Sequence, residues 1–396
     1  MLNERLEALG EGPFQRLGAL LADVRPAVNR PSFNLAVGEP RHAYPDFVGE
    51  IVNANRHLYG RYPAATGTPE YRAACANWLT RRYRLPAGMI EPDRHIVPLN
   101  GTREGLFLLA LLVVPEVKGG AKPLVLMPNP FYHPYAGAAV AAGAEPRYLP
   151  ARKETGYLPD FDRVSDADFA RTALVYLCSP ANPQGAVADP AYLAKLIARV
   201  RAHDAVLAID ECYAEIFADR APAGALEVCA KEGGGLANVL VFHSLSKRSS
   251  VPGLRCGFVA GDPDLLKQFV QLRNYSCAQI PLPVFAAATA LWSDEAHVDA
   301  NRALYRAKFD VAARVLGERF GFYRPDGAFF LWLDVGDGER AAKTLWREAG
   351  VRVLPGGYLS RPTADGSVPG APYIRVALVD ELDETEAALD ALARVL

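Results

Sequence analysis

Cysteine is sparse in this sequence and falls into no motif. The six thiols (Cys75, Cys178, Cys212, Cys229, Cys256 and Cys277) include no C-x-x-C spacing. That argues against zinc or a disulfide framework and fits a reducing compartment. The seven histidines include no H-E-x-x-H or similar ligand spacing. Long apolar runs are missing as well. The longest, Leu106 to Val114 in LFLLALLVV, is too short to cross a bilayer and reads as a buried helix. The first residues, MLNERLEALGEGPFQRL, are charged and lack the apolar centre of a secretory signal. An excess of one charge is also absent: 43 Lys and Arg stand against 45 Asp and Glu, a net charge of -2. A broad basic face for nucleic acid is therefore not expected. The expectation is a cytoplasmic globular protein with no metal, no membrane span and no nucleic-acid partner.

What is present is an ordinary globular composition, half hydrophobic and 22% charged, in a chain of 396 residues. That length predicts a large core, in two domains. Short β-rich runs recur at 123–127, 172–178, 205–210, 238–243 and 255–260, with helix-like stretches such as DPAYLAKLIARVRAHD between them. Near-continuous apolar strands alternating with helices predict an α/β fold with a mainly parallel sheet covered on both faces. After Pro283 the strands in AFFLWLDV and YIRVAL and the helices in ERAAKTLWREAG and ELDETEAALDALARVL predict a smaller α+β domain. The boundaries expected are 47–285 for the large domain, with 1–46 and 286–396 forming the small one.

Five polar clusters fall where these strands end, the edge at which open α/β sheets usually bind ligands. In LNGTREGLF, Gly101, Thr102 and Arg103 precede an apolar helix, and free amides at a helix start suit a phosphate. In PNPFYHPY, Tyr132 could lie on a flat ligand, although an aromatic there more often packs in the core. In CSPANPQG, Asn182 is aimed by a turn rich in proline and glycine. In AIDECYAEI, Asp210 ends an apolar strand, a costly place for a carboxylate unless a cation meets it, and Tyr213 follows three residues on. In FHSLSKRSSVPGLRCGF, Lys247 sits among Ser244, Ser246, Ser249 and Ser250, with Arg255 eight residues later. Each cluster alone is more readily structural; five in this order at one sheet edge point to a reactive amine beside an anion cradle.

The S-x-S-K-x7-R, D-x-x-Y, N-P-x-G and G-T motifs, in that arrangement, resemble the class I/II pyridoxal-phosphate aminotransferases of fold type I. The resemblance runs from about Asn34 to the C-terminus. It implies pyridoxal 5'-phosphate as cofactor, bonded to Lys247. Asp210 would pair with the ring nitrogen, Tyr213 and Asn182 would bind the ring hydroxyl, and Tyr132 would stack on the ring. Gly101, Thr102, Arg103, Ser244 and Arg255 would hold the phosphate, with Ser246 assisting. Arg375 in YIRVAL would grip the substrate α-carboxylate beneath the backbone of Gly38. Tyr62 would reach the phosphate of a neighbouring subunit, which implies a homodimer. The implied substrates are small amino acids and 2-oxo acids. Tyr132 departs from the tryptophan of some relatives, and Cys256 from an aliphatic residue.

Within the family, SLSKRSSVPGLRCGFVAGD, PNPFYHPYAGAA, WSDEAHV and NRALYRAKFD are similar to the bacterial N-succinyldiaminopimelate aminotransferases of lysine biosynthesis. Such a substrate carries carboxylates beyond the one at Arg375, so a second cation is expected. Arg41 in GEPRHAYP is the candidate, against the plain reading of a solvent-facing loop arginine. Other aminotransferases, such as the aspartate, alanine, aromatic and acetylornithine types, or a β-lyase would reuse the same cofactor residues.

Two other classes fit less well. The G-x-G-x-x-A in LWLDVGDGERAA could suggest dinucleotide binding, but Asp337 would face the pyrophosphate and too little chain follows for further βαβ units. A ligand-sensing regulator would need a DNA-binding domain, and only some thirty residues precede FNLAVGEP.

Overall fold

The computed structural model describes residues 4–26 and 32–396; 1–3 and 27–31, within the segment expected to join the small domain, lie outside the described residues. The centre is a seven-stranded sheet. Its strands are β1 (Ile96–Leu99), β2 (Leu124–Asn129), β3 (Glu145–Pro150), β4 (Thr172–Cys178), β5 (Val206–Asp210), β6 (Val239–Ser244) and β7 (Gly257–Gly261). They lie in the order β1-β7-β6-β5-β4-β2-β3. Every pairing is parallel except those of β7, which runs against both β6 and β1.

Strand periodicity explains why these runs are apolar throughout. On one face Leu124, Leu126, Val175, Leu177, Leu207, Ile209, Val239 and Val241 pack with Trp78, Leu196 and Trp292. The alternate residues Val125, Met127, Leu174, Tyr176, Ala208, Leu240 and Phe242 pack with Leu106, Leu109 and Phe269 on the other. Successive side chains point to opposite faces, so a strand covered on both sides is apolar along most of its length, with polar residues mainly at its ends. The apolar run Leu106–Val114 is largely the interior of helix α1 (Thr102–Val113), pressed on the second face.

Two strands escaped the sequence pattern. β1 contains Pro98, and β3 (EPRYLP) contains Pro146 and Pro150 and is only half-buried. Both are edge strands, where a missing N–H is tolerated.

A second, antiparallel sheet is formed by β8 (Phe330–Asp334), β9 (Leu354–Pro355) and β10 (Tyr373–Ala377), in the order β9-β10-β8. Helix α2 (Ala296–Leu316), helix α3 (Gly338–Ala349) and helix α4 (Leu382–Val395) cover it, around a separate core containing Phe309, Leu331, Leu345, Val376 and Leu392. A short parallel pairing of Phe33–Asn34 with Val351–Arg352 ties the N-terminal chain to this unit. Asp337 of the G-x-G-x-x-A stretch caps α3, its side chain accepting from the Arg340 N–H. That is an ordinary helix start.

Candidate active site

The carboxyl ends of β1, β2, β4, β5 and β6 open onto one edge. Because β7 is reversed, its amino end arrives at the same edge, with Leu99 and Ser244 both opposite Gly257. Arg255, two residues before Gly257, is delivered there by that reversal. The edge holds a cavity of about 480 Å³ whose walls reach into the second sheet.

One end of the cavity is a nest of donors. Gly101 precedes α1 with φ +84°, and a side chain there would collide with the Arg255 guanidinium. The position requires glycine on both counts. Thr102 and the free amides of the α1 start face the same space, a ready anion site. Arg255 is braced by donating to the Asn100 carbonyl (2.9 Å) and the Pro252 carbonyl (2.8 Å). Ser244 caps the turn that carries Lys247, accepting from the Ser246 N–H at 3.1 Å and donating to the Ser246 hydroxyl at 2.9 Å. Arg103 donates to the Tyr132 hydroxyl at 2.8 Å, which holds that ring on the cavity wall.

At the centre Lys247 donates from Nζ to the Gly38 carbonyl at 2.7 Å. Its amine is pushed down to about 8, first by burial and then by the charge of Arg375, against the opposing pull of Cys212, Glu39 and Asp210. Desolvation outweighs the guanidinium here. Behind the lysine, Asn301 donates to the Lys247 carbonyl at 3.3 Å and meets His42 at 2.7 Å, and His42 in turn meets the buried Lys308 at 2.5 Å.

Asp210, the last residue of β5, is 3% exposed. It accepts from the Tyr135 hydroxyl (3.1 Å) and the Cys212 N–H (3.3 Å), and burial raises its pKa. Among the described residues it forms no ion pair. A buried carboxylate of that kind calls for a cationic ligand. Tyr213 lines the wall close by, its ring centre 5.9 Å from Lys247 Nζ.

At the far end Arg375 of β10 donates to the Asn182 side-chain oxygen (3.0 Å) and to the Ala36 carbonyl (2.8 Å). Its guanidinium lies over Phe330, 4.4 Å from the ring centre. Nε is buried with no partner in the described structure, and burial lowers the group to about 10. A cation held this dry has a strong demand for an anion. Gly38 stands where a Cβ would come within 2.6 Å of the Phe330 ring, so the chain closes here only without a side chain.

Thirteen of the residues singled out in the sequence thus line one cavity: Gly38, Gly101, Thr102, Arg103, Tyr132, Asn182, Asp210, Tyr213, Ser244, Ser246, Lys247, Arg255 and Arg375. Two do not. Arg41 is exposed and its guanidinium is taken by Asp380, so it does not reach the cavity as the second cation expected of it. Tyr62 is fully exposed and absent from the walls formed by its own chain. The sequence reading missed Tyr135, which is three residues beyond Tyr132 on the same helical spacing, stacks on Tyr176 and holds Asp210. It also missed Cys212, Phe330 and the N-terminal Pro13 and Phe14.

The residues fit a flat, phosphorylated pyridine aldehyde. The donor nest suits its phosphate, the unpaired Asp210 its ring nitrogen and the dry amine its carbonyl carbon. With a doubly covered parallel sheet behind them, they define a pyridoxal-phosphate enzyme of fold type I. More narrowly, the chain belongs to the aminotransferases of class I and II, whose family profile matches residues 30–392. It is 38% identical to an aminotransferase of Neisseria meningitidis of known structure, with a TM-score of 0.93 over 99% of both chains. It is 34% identical to the 4-dedimethylamino-4-oxo-anhydrotetracycline transaminase OxyQ of Streptomyces rimosus, over 87% of this chain and 88% of that one. It is 30% identical to an LL-diaminopimelate aminotransferase of Syntrophobacter fumaroxidans, over 99% of this chain and 98% of the other. The chain is therefore a pyridoxal-phosphate-dependent aminotransferase. Among the described residues no helix is long and apolar enough to cross a membrane.

Proposed function

We propose that this aminotransferase moves an amino group between glutamate and N-succinyl-2-amino-6-oxopimelate, a step of lysine biosynthesis. The observation that carries the choice is a second cavity of about 850 Å³ beside the catalytic one, the two sharing Pro13, Arg103, Phe131, His133, Arg255 and Leu359. A small amino acid has no use for that space; a seven-carbon diacid with an acyl arm does. Succinylation also replaces the distal ammonium by an arm ending in a carboxylate, which the guanidinium groups of that wall can bind.

The bound cofactor supplies an electron sink for the substrate carbanion. Arg375 grips the α-carboxylate as a bidentate fork, with Asn182 fixing one of its nitrogens, and so orients the Cα–H bond. Lys247 Nζ, lowered to about 8 by burial, would take the proton from Cα and deliver it to the cofactor's former aldehyde carbon. Asp210 holds negative charge against the ring nitrogen, steadied by Tyr135. Tyr132 and Tyr213 line the ring's place, and the donors from Gly101 to Arg103 with Ser244, Ser246 and Arg255 hold the phosphate.

A second reading, transamination of LL-diaminopimelate itself, is favoured by the name of the Syntrophobacter relative. The test is a single-turnover panel on the holoenzyme with N-succinyl-L,L-diaminopimelate, L,L-diaminopimelate, N-acetylornithine and glutamate, measuring 2-oxo acid formed. Fast turnover of the succinylated compound and glutamate supports the proposal. Faster turnover of free diaminopimelate would favour the second reading, and turnover of glutamate alone would leave neither standing.

The working unit is inferred to be a cytoplasmic homodimer in which Tyr62 reaches the neighbouring phosphate. What supports it is the complete exposure of Tyr62, with Tyr59 and Tyr275 also projecting, and six free cysteines. Sedimentation showing a fully active monomer would remove Tyr62 from the site. The division into a large unit, 47–285, and a small unit, 1–46 with 286–396, belongs to the same proposal and rests on the two separate sheets and cores.

A further inference from the structure

The second cavity raises the question of what meets the distal end of a long substrate, now that Arg41 is occupied by Asp380. Among the cations lining it, Arg103 and Arg255 stand in the donor nest shared with the catalytic cavity. Arg361 does not. It is half-buried, lies over Phe131 at 5.3 Å from the ring centre, and forms no ion pair among the described residues. Phe131 and the adjacent Leu359 belong to both cavities, so Arg361 sits just past their common wall.

Its backbone is fixed. Asn129, fully buried at the end of β2, accepts from the Arg361 N–H at 3.1 Å and donates to its carbonyl at 2.8 Å. The guanidinium is steadied by donating to the Ser360 carbonyl at 3.1 Å, beside the Tyr148 phenol. The carboxylates that line the cavity are Glu4, Glu11 and Glu104, and Glu104 is held by Arg273 at 3.0 Å. A half-dry guanidinium, positioned from behind and lacking a carboxylate, is a site built for an anion.

We propose that Arg361 binds the distal carboxylate of the substrate and so sets the preference for long diacids. The apolar wall of Phe107, Leu108, Ala136 and Val140 would take the methylenes between the two charged ends. This deepens the reading of a pimelate-type substrate and replaces Arg41 in it.

The test uses unreactive ligands, so it does not depend on turnover. Pimelate (two carboxylates) and heptanoate (one) are titrated calorimetrically into the holoenzyme and into its Arg361→Gln and Arg361→Lys variants. Wild type is expected to bind pimelate at least about tenfold more tightly than heptanoate, the scale of one charge-assisted bond. Arg361→Gln should erase that difference while leaving heptanoate unchanged, and Arg361→Lys should restore part of it. Equal affinity of the two ligands for wild type overturns the proposal without any variant. So does a pimelate preference that survives in Arg361→Gln. A preserved pimelate effect at Arg361 in an enzyme that fails to convert N-succinyl-L,L-diaminopimelate would count against the proposed substrate and not against the site.

Discussion

Lys247→Met is expected to abolish transamination, lowering single-turnover rates by at least about 10⁴, the upper range for loss of a positioned acid–base group. The same variant should lose the covalent visible absorbance of the holoenzyme. Methionine keeps an unbranched apolar stem, with sulfur in place of one methylene, and lacks the amine, so the loss belongs to the chemistry at Nζ. A second readout separates that from misfolding. The amine is held near 8, below its ordinary 10.5, chiefly by burial. Below about pH 8 folded and unfolded chains are both protonated, and the folded one bears the full desolvation cost. Between about 8 and 10.5 the unfolded chain binds more protons, so stability of the cofactor-free protein rises with pH across that window. Cofactor-free Lys247→Met should therefore melt no lower than cofactor-free wild type at pH 7, with any advantage shrinking toward pH 10. A variant that melts far below wild type at pH 7 would refute the account of a costly buried amine.

Asp210→Asn is the next largest effect. Asparagine matches the shape, its one oxygen still accepting from the Cys212 N–H and its amide nitrogen donating to the Tyr135 hydroxyl, but it carries no charge to set against a ring nitrogen. The expected loss in kcat is about 10² to 10⁴, typical for removal of a group that stabilises charge in a dry site. Stability should move in opposite directions in the two forms. Burial raises the Asp210 pKa, so in the folded, cofactor-free protein the charged form is disfavoured. That cost is absent at low pH and grows as pH rises through the window between the ordinary and the raised value. At neutral pH the cofactor-free variant should melt at or above wild type, whereas the holoenzyme should lose cofactor affinity. Unchanged kcat, or equal destabilisation of both forms, would sink the pairing of Asp210 with a cationic ring.

The large sheet was legible because its strands are buried on both faces: Thr172–Cys178 is apolar enough to be recognised from composition alone. The edge strands were not, since Pro98, Pro146 and Pro150 break the pattern where an edge permits it. The site clusters were legible because each follows a strand in the chain and the strands end together. Arg255 also follows a recognisable motif, but its arrival at this edge depends on the reversal of β7, which local sequence does not encode. Arg41 was expected to meet substrate because it lies just past Gly38 and a long diacid calls for a second cation. Its partner Asp380 lies 339 residues away. Tyr135 was passed over for Tyr132 because a helix start offers both, and the buried hydrogen bond to Asp210 distinguishes them only in three dimensions.

The Asn100–Arg255 contact spans 155 residues and the Ala36–Arg375 contact 339. Closures this distant in the chain form late, after their entropy has been offset by local structure. An emerging chain therefore has no complete donor nest until β7 has inserted, and no carboxylate clamp until the last strand is in place. Capture of the cofactor becomes a report that folding has finished. Since a ligand that binds only the native state stabilises it in proportion to the logarithm of its concentration, vitamin supply would set the margin by which finished molecules outlast their unfolding.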